Sequence, residues 1–274
     1  MKKSKKTHEL AKNSMIWFIL LFAFFPLYVM FAISFKTNTQ FLHSPFGLSF
    51  PFHWENWIHG WHVIKGYIAN SVFTSTISVI ATLITAVMSS FVFARYDFSG
   101  KTIIWYLLLG LLFMPGIMNL VPLFILMKDL NLLNSLMGLS ILYTVGGQVF
   151  CIFVLRNFIE EIPQDLFEAA QVDGAGPMKQ IFNIVIPMSG SILATLAILR
   201  FLGCWNDFIT PLVCISDEYK QLIPVGLMRL DGEYVKQWGQ MMAGFSIAAI
   251  PLVLIFLFTM RLFVKGLSAG AVKG

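Results

Sequence analysis

The sequence predicts an all-α integral membrane protein with six transmembrane helices, a short cytoplasmic helix between spans four and five, and both termini in the cytoplasm. Three observations carry this prediction. First, 57% of the 274 residues are hydrophobic and the mean hydropathy is +0.77. Second, charged residues make up 12% of the chain, about half the share of an ordinary soluble domain. Third, six stretches stay apolar for about 20 residues, the length a helix needs to cross a bilayer core. So few charges cannot cover the surface of a water-soluble globule, and they also exclude a disordered chain or a long coiled coil.

The elements follow in order. Residues 1–14 form a basic cytoplasmic tail, residues 15–264 the membrane domain and residues 265–274 a cytoplasmic C-terminal tail. The expected spans are Met15 to Phe35, Asn70 to Ala94, Ile103 to Met127, Leu136 to Leu155, Met188 to Val213 and Met241 to Met260. Of 19 Lys and Arg and 14 Asp and Glu, only Arg200 and Asp207 fall inside them. Lys and Arg collect on the cytoplasmic side of membrane proteins. Here Lys2, Lys3, Lys5, Lys6, Lys12, Arg95, Lys101, Arg156, Lys179, Arg261, Lys265 and Lys273 share one side. Lys36, Lys65, Lys128, Lys220, Arg229 and Lys236 lie on the other. The first span loosely mimics a secretory signal at Ala32-Ile33-Ser34, but its apolar stretch exceeds the usual signal core, so an uncleaved anchor is expected.

Two outside loops are long. Residues 36–69 carry His53, Trp54, Trp57, His59, Trp61 and His62, and Trp favours the headgroup level, so an interfacial segment is expected and no metal site. Residues 214–240 contain Pro224, Gly226 and Gly232, with enough polar residues to face water and a partner. Cys151, Cys204 and Cys214 lie in or beside apolar runs with no CxxC spacing, which excludes a disulfide framework and disfavours zinc. The net charge of +5 comes without a basic stripe interleaved with aromatics, so nucleic acid is not an expected partner.

The spans are not uniformly apolar. Span two carries Ser71, Thr74, Ser75, Thr76, Ser78, Thr82, Thr85, Ser89 and Ser90; small hydroxylated residues let membrane helices approach and hydrogen-bond. Pro115, Pro122 and Gly146-Gly147 are expected to bend or break spans three and four, which is tolerated beside neighbours or a water-filled path. Any one of these residues reads as helix packing; together they fit a translocation path better than a simple anchor. Arg200 and Asp207 stand two turns apart, which places them on one helical face toward the bundle interior. An ionised residue in a membrane is a functional candidate by default. Two roles are open: lining a solute path, or a structural polar network that fixes span five.

Residues 156–187 form the longest cytoplasmic segment. Pro163 suits a first helical position, Asp165 and Glu168 suit the positive end of a helix dipole, and Leu166, Ala169, Ala170 and Asp173 follow the i, i+3, i+4, i+7 spacing. Gly174 is a plausible stop. A second helical stretch brings Ile181, Phe182 and Val185 to one side before Pro187. A helix of small and apolar residues tethered to two spans suits docking into a groove. The alternative, a helix lying on lipid, predicts lysines on its polar face, where this segment has acids.

These residues carry a resemblance. Glu168-Ala169-Ala170, Gly174, Ile184 and Ile186-Pro187 look like the EAA motif of binding-protein-dependent ABC importer permeases, with Ile186 where the family pattern has Leu. Four further stretches resemble the carbohydrate (maltose-type) branch: Phe93-Ala94-Arg95-Tyr96-Asp97-Phe98, Leu132-Leu133-Asn134-Ser135, Trp205-Asn206-Asp207-Phe208 and Gly270-Ala271-Val272-Lys273-Gly274. The resemblance covers nearly the whole chain. It implies a permease subunit in a bacterial or archaeal cell membrane, paired as a heterodimer with a second related permease, two ATPase subunits and an extracytoplasmic sugar-binding protein. It implies a carbohydrate substrate, such as an oligosaccharide or glycoside, and no cofactor. The implied coupling helix docks into an ATPase through Glu168, Ala169, Ala170, Asp173 and Gly174. Arg200, Trp205, Asn206 and Asp207 are candidates for the substrate path or an intramembrane network, although Arg200 has no counterpart in the family pattern. Residues 214–240, with Pro224 and Gly226, correspond to a loop that reaches the binding protein, and the tail from Ser268 corresponds to a segment inserted between the ATPases.

The sequence also speaks against other classes. It lacks a G-x-x-x-x-G-K-[ST] phosphate loop, so an importer of this kind must draw its energy from another subunit. A self-sufficient secondary transporter would be expected to show coupling carboxylates in its spans or an inverted repeat, and an intramembrane enzyme needs a clustered catalytic set. One acid and no His lie in the spans, so the chain is not expected to be an enzyme.

Overall fold

The computed structural model describes residues 2–230 and 236–271, and all secondary structure among them is helical. In chain order the helices are α1 (Lys2–Ile33), α2 (Asn38–His43), α3 (Glu55–Arg95), α4 (Lys101–Leu112), α5 (Leu120–Asp129), α6 (Leu136–Glu160), α7 (Gln164–Val172), α8 (Pro177–Gln180), α9 (Ile186–Met188), α10 (Gly190–Asn206), α11 (Ile209–Cys214), α12 (Ile223–Gly226) and α13 (Trp238–Ala271). Four segments are long and apolar enough to cross a membrane: Lys12–Ile33, Glu55–Arg95, Leu136–Glu160 and Trp238–Leu257. Two bent pairs bring the number to six if each counts as one span.

Those bent pairs fall where straight spans three and five were expected. α4 stops before Pro115, a 3₁₀ turn covers Gly116–Asn119, and the chain leaves along α5 at 99°. Pro115 does the breaking, because it lacks the N–H that would continue the ladder. Pro122 breaks nothing: it lies in the first turn of α5, where the missing N–H has no intrahelical partner to lose. The second pair, Pro177–Met188 and Gly190–Asn206, bends by 81°. Its first limb contains a π turn over Ile181–Val185. Gly146-Gly147, expected to bend span four, does not: α6 runs unbroken through both.

The described residues fall into two compact units. One comprises residues 1–65 and 226–252. In it the stretch expected to be an interfacial loop is largely built. Thr37 and Gln40 form a reciprocal capping box at the start of α2, and α3 begins at Glu55, well before the expected Asn70. Trp57 turns inward, stacks on Phe35 at 5.5 Å and donates its indole N–H to Ser34 Oγ at 3.0 Å. Trp54 and Trp61 remain exposed. Lys36 is 1% exposed, and its Nζ donates to the carbonyls of Ser44 and Pro45. Burial holds that ammonium below the ordinary lysine range.

The other unit comprises residues 66–225 and 253–274. Here the hydroxyl stripe of α3 faces α6. Ser71, Thr74, Ser75, Ser78, Thr82 and Ser90 are buried, at spacings that keep them on one helical face. Ser78 Oγ donates to the Ser140 carbonyl at 3.2 Å, Thr82 Oγ1 to Thr144 at 3.3 Å and Ser90 Oγ to Ile152 at 3.2 Å. The stripe packs two helices closely. Below it Phe91, Leu155, Ile159, Phe167, Val185 and Leu196 belong to one buried apolar cluster.

Candidate functional site

The segment with the expected docking residues is seated by a cation for which the sequence suggested no such role. Arg95, the last residue of α3, donates to the carbonyls of Ile159 and Ile162 at the end of α6 and to Gln164 Oε1 at the start of α7. Its guanidinium also lies 4.0 Å from the centroid of Phe167. One side chain thus ties carbonyls at and just beyond the end of α6, holds the first residue of α7 and stacks on its anchoring ring. Phe167 is 2% exposed and is the one buried residue of α7.

Both ends of α7 follow from local rules. Pro163, expected at the first helical position, is instead the cap preceding it, with φ −53° and ψ 133°. Such extended geometry is usual for a residue that feeds a helix. At the far end Gly174 has φ +73°. Gly174 N–H donates to Gln171 O at 3.0 Å and Ala175 N–H to Ala170 O at 2.8 Å, the paired bonds of a Schellman stop. Gln180 is buried and donates to the Ala175 carbonyl at 3.0 Å, which fixes the turn.

With its ends held this way, α7 turns outward. Leu166, Glu168, Ala169 and Asp173 are exposed, Ala170 is half-buried and Val172 is 88% exposed. In the following stretch Ile181 and Val185 are buried, while Phe182 is exposed. The open face thus carries small and aliphatic side chains with acids beside them. The helical spacing grouped Leu166, Ala169, Ala170 and Asp173 but missed Phe167, which lies off that stripe and is the buried residue of α7.

The second set of candidates lies along α10. Asp207 does not share a helical face with Arg200, because α10 ends at Asn206 and Asp207 is extended at φ −70°, ψ 124°. Tyr143 of α6 joins them instead. Arg200 Nη2 donates to the Tyr143 carbonyl at 2.8 Å, and Tyr143 Oη donates to Asp207 Oδ2 at 2.9 Å. The other Asp207 oxygen accepts the N–H groups of Ile209 and Thr210 at 3.1 and 3.3 Å and so starts α11. Gly147 makes room for the guanidinium: a Cβ there would lie 2.4 Å from Arg200 Nε. Arg200, Tyr143 and Asp207 border a cavity of about 420 Å³ that Asn119 and Thr210 also line. Trp205 is buried and stacks on Phe201 at 5.3 Å, and Asn206 is exposed and donates to the Leu202 carbonyl. Tyr143 carried no signal in the sequence, since one tyrosine in an apolar run looks like packing, and Gly147 was read as a bend rather than as room for a guanidinium.

The loop after α11 is partly packed. Ile215 and Leu222 share a buried cluster with Leu139, Tyr143 and Cys204. Asn134 clasps it: its side-chain oxygen accepts Asp217 N–H at 2.9 Å and its carbonyl accepts Lys220 Nζ at 3.2 Å. Pro224 is half-buried and Gly226 buried, whereas Tyr219 and Met228 are exposed. Residues 231–235, with Gly232, and the final residues 272–274 lie outside the described residues.

Known proteins share this sequence and fold. The binding-protein-dependent transport system inner membrane component family matches residues 8–269. The probable ABC transporter permease protein YurM of Bacillus subtilis is 30% identical over 99% of this chain and 92% of its own. The arabinooligosaccharides transport system permease protein AraQ of Halalkalibacterium halodurans is 32% identical over 94% of each. The diacetylchitobiose uptake system permease protein NgcG of Streptomyces coelicolor is 30% identical over 94% of this chain and 86% of its own. Among solved structures, a bacterial ABC transporter involved in import of the acidic polysaccharide alginate has a chain that superposes with TM-score 0.83 at 19% identity, covering 94% of this chain and 97% of that one. The likeness to that structure is one of fold. Taken with the family match, it makes the chain a member of the binding-protein-dependent transport system inner membrane component family.

Proposed function

We propose that this chain is the permease subunit of an ATP-driven, binding-protein-dependent importer for a carbohydrate, in a bacterial or archaeal cell membrane. Arabinooligosaccharides and diacetylchitobiose in the names of its relatives favour an oligosaccharide or glycoside. In this reading each bent pair is one span, six in all, and both termini are cytoplasmic, as the distribution of Lys and Arg favours. A second related permease completes the path, two ATPase subunits supply energy, and an extracytoplasmic binding protein delivers the sugar.

The outward face of α7 carries the proposal. A helix pinned by Arg95 and Phe167 yet open along Leu166, Glu168, Ala169 and Val172 is suited to act as the coupling helix. Motion of an ATPase cleft would pass through it to α6 and α10. The Arg200–Tyr143–Asp207 network braces the broken fifth span against α6 and gives the adjoining cavity its polar wall. Tyr219 and its neighbours in 214–240 are the surface offered to the binding protein.

Two substitutions test the coupling. In the assembled transporter, Glu168→Ala and Gly174→Val should reduce sugar-stimulated ATP hydrolysis while membrane insertion is unchanged. Full stimulation in both would overturn the assignment of α7. A screen of the cognate binding protein against a sugar panel identifies the substrate, and binding of amino acids or ions instead would refute the carbohydrate reading.

A further inference from the structure

A second cavity, of about 410 Å³, opens between the start of α4 and the end of α6. Its chemistry differs from that of the cavity beside Arg200. Lys101 and Arg156 both line it, with Phe93, Asp97, Thr102, Trp105 and Tyr106, so two cations stand there against one carboxylate. Arg156 lies 4.1 Å over the ring of Trp105, and its Nε is buried with no hydrogen-bond partner. Its Nη2 pairs with Glu160 at 2.6 Å. Lys101 Nζ donates to Tyr96 O at 2.9 Å and to Asp97 Oδ1 at 3.0 Å, and Asp97 is fully exposed. With its carboxylate partner wholly in water, this pair four residues apart is screened and holds weakly, so Lys101 can turn to another anion. α4 itself starts without a side-chain cap, because Gly100 precedes it at φ +84°; Lys101 N–H is taken by the Phe98 carbonyl at 3.2 Å and Ile104 N–H by that of Gly100 at 3.0 Å, which leaves the N–H groups of Thr102 and Ile103 for an anion.

We propose that this cavity binds the phosphodiester of an anionic phospholipid, with Lys101, Arg156, Thr102 and the start of α4 around the phosphate. Trp105 and Tyr106 support the membrane source of that phosphate. Tyr106 is exposed, and the two aromatics sit one turn into α4, the first limb of a bent candidate span, and such side chains favour the headgroup level. Basic pockets between membrane helices on the cytoplasmic side select such headgroups. The site rests on the chain lying in a bilayer, not on the substrate or ATPase partner assigned above.

The test uses the full chain purified in a neutral detergent and titrated with phosphatidylglycerol or phosphatidylcholine, with lipid retention read by native mass spectrometry. The wild-type chain should retain phosphatidylglycerol in preference to phosphatidylcholine. Lys101→Gln with Arg156→Gln should weaken retention by at least about tenfold. Thr102→Glu should do the same while keeping both cations, and a carboxylate in a first helical turn favours folding; its melting in phosphatidylcholine nanodiscs should match wild type. Equal retention of both lipids by wild type, or undiminished phosphatidylglycerol binding in both variants, overturns the proposal. Displacement of phosphatidylglycerol by equimolar inorganic phosphate would also overturn it, by assigning the cavity to a free anion.

Discussion

Arg95 concentrates several jobs in one side chain, so its loss should be costly. Arg95→Gln removes charge-assisted bonds to the Ile159 and Ile162 carbonyls and the stacking on Phe167. The expected penalty is about 2–4 kcal/mol, with amide exchange rising in residues 160–176 and little change elsewhere. Uniform exchange across the chain would refute the local role. Gly138 is a steric case: a Cβ there would lie 2.2 Å from the Leu132 carbonyl oxygen. Backbone cannot swing aside as a side chain can, so Gly138→Ala should destabilise by about 1–3 kcal/mol, read as a lower melting temperature in detergent. At this scale the sequence was legible where chemistry is local. Gly174 announced its stop because its neighbours decide its conformation. Arg95, Tyr143 and Gly147 did not, because their partners are distant in sequence and only the fold brings them together.

Among the elements, α3 and α6 show how a polar sequence becomes a packing surface. Ser78, Thr82 and Ser90 bond to carbonyls across the contact, which lets the helices approach closely, while Thr74 Oγ1 and Ser75 Oγ are buried beside them without a hydrogen-bond partner. Thr82→Leu replaces a buried donor with greater bulk facing α6 and should cost about 1–3 kcal/mol, read as earlier thermal aggregation; Thr76→Leu, on the exposed side, should be near neutral. A larger effect at Thr76 would contradict the packing assignment. Periodicity alone could have made this distinction, since the buried hydroxyls recur every third or fourth residue. The bends are harder to read. Hydropathy sees an uninterrupted apolar run through Pro115 and through Ser189-Gly190, and it is blind to direction.

For the whole molecule, composition settled most of what could be settled early: a helical protein of several membrane segments follows from the apolar fraction and the scarcity of charge. The assembly is a different matter, since partners leave only faces behind. Proteoliposomes holding this chain alone should accumulate no sugar under a proton or sodium gradient, and adding ATP should not change that. Uptake under either gradient would favour a self-sufficient carrier over a subunit that borrows its energy.

The attachment of α7 has a mechanical result. A rod fastened deeply at one ring, Phe167, and steadied at its tail by the Ala175–Gln180 bond has a pivot and a stay. Displacing the rod therefore loads two long helices at once, because the guanidinium at the pivot belongs to the end of one and bonds to the end of the other.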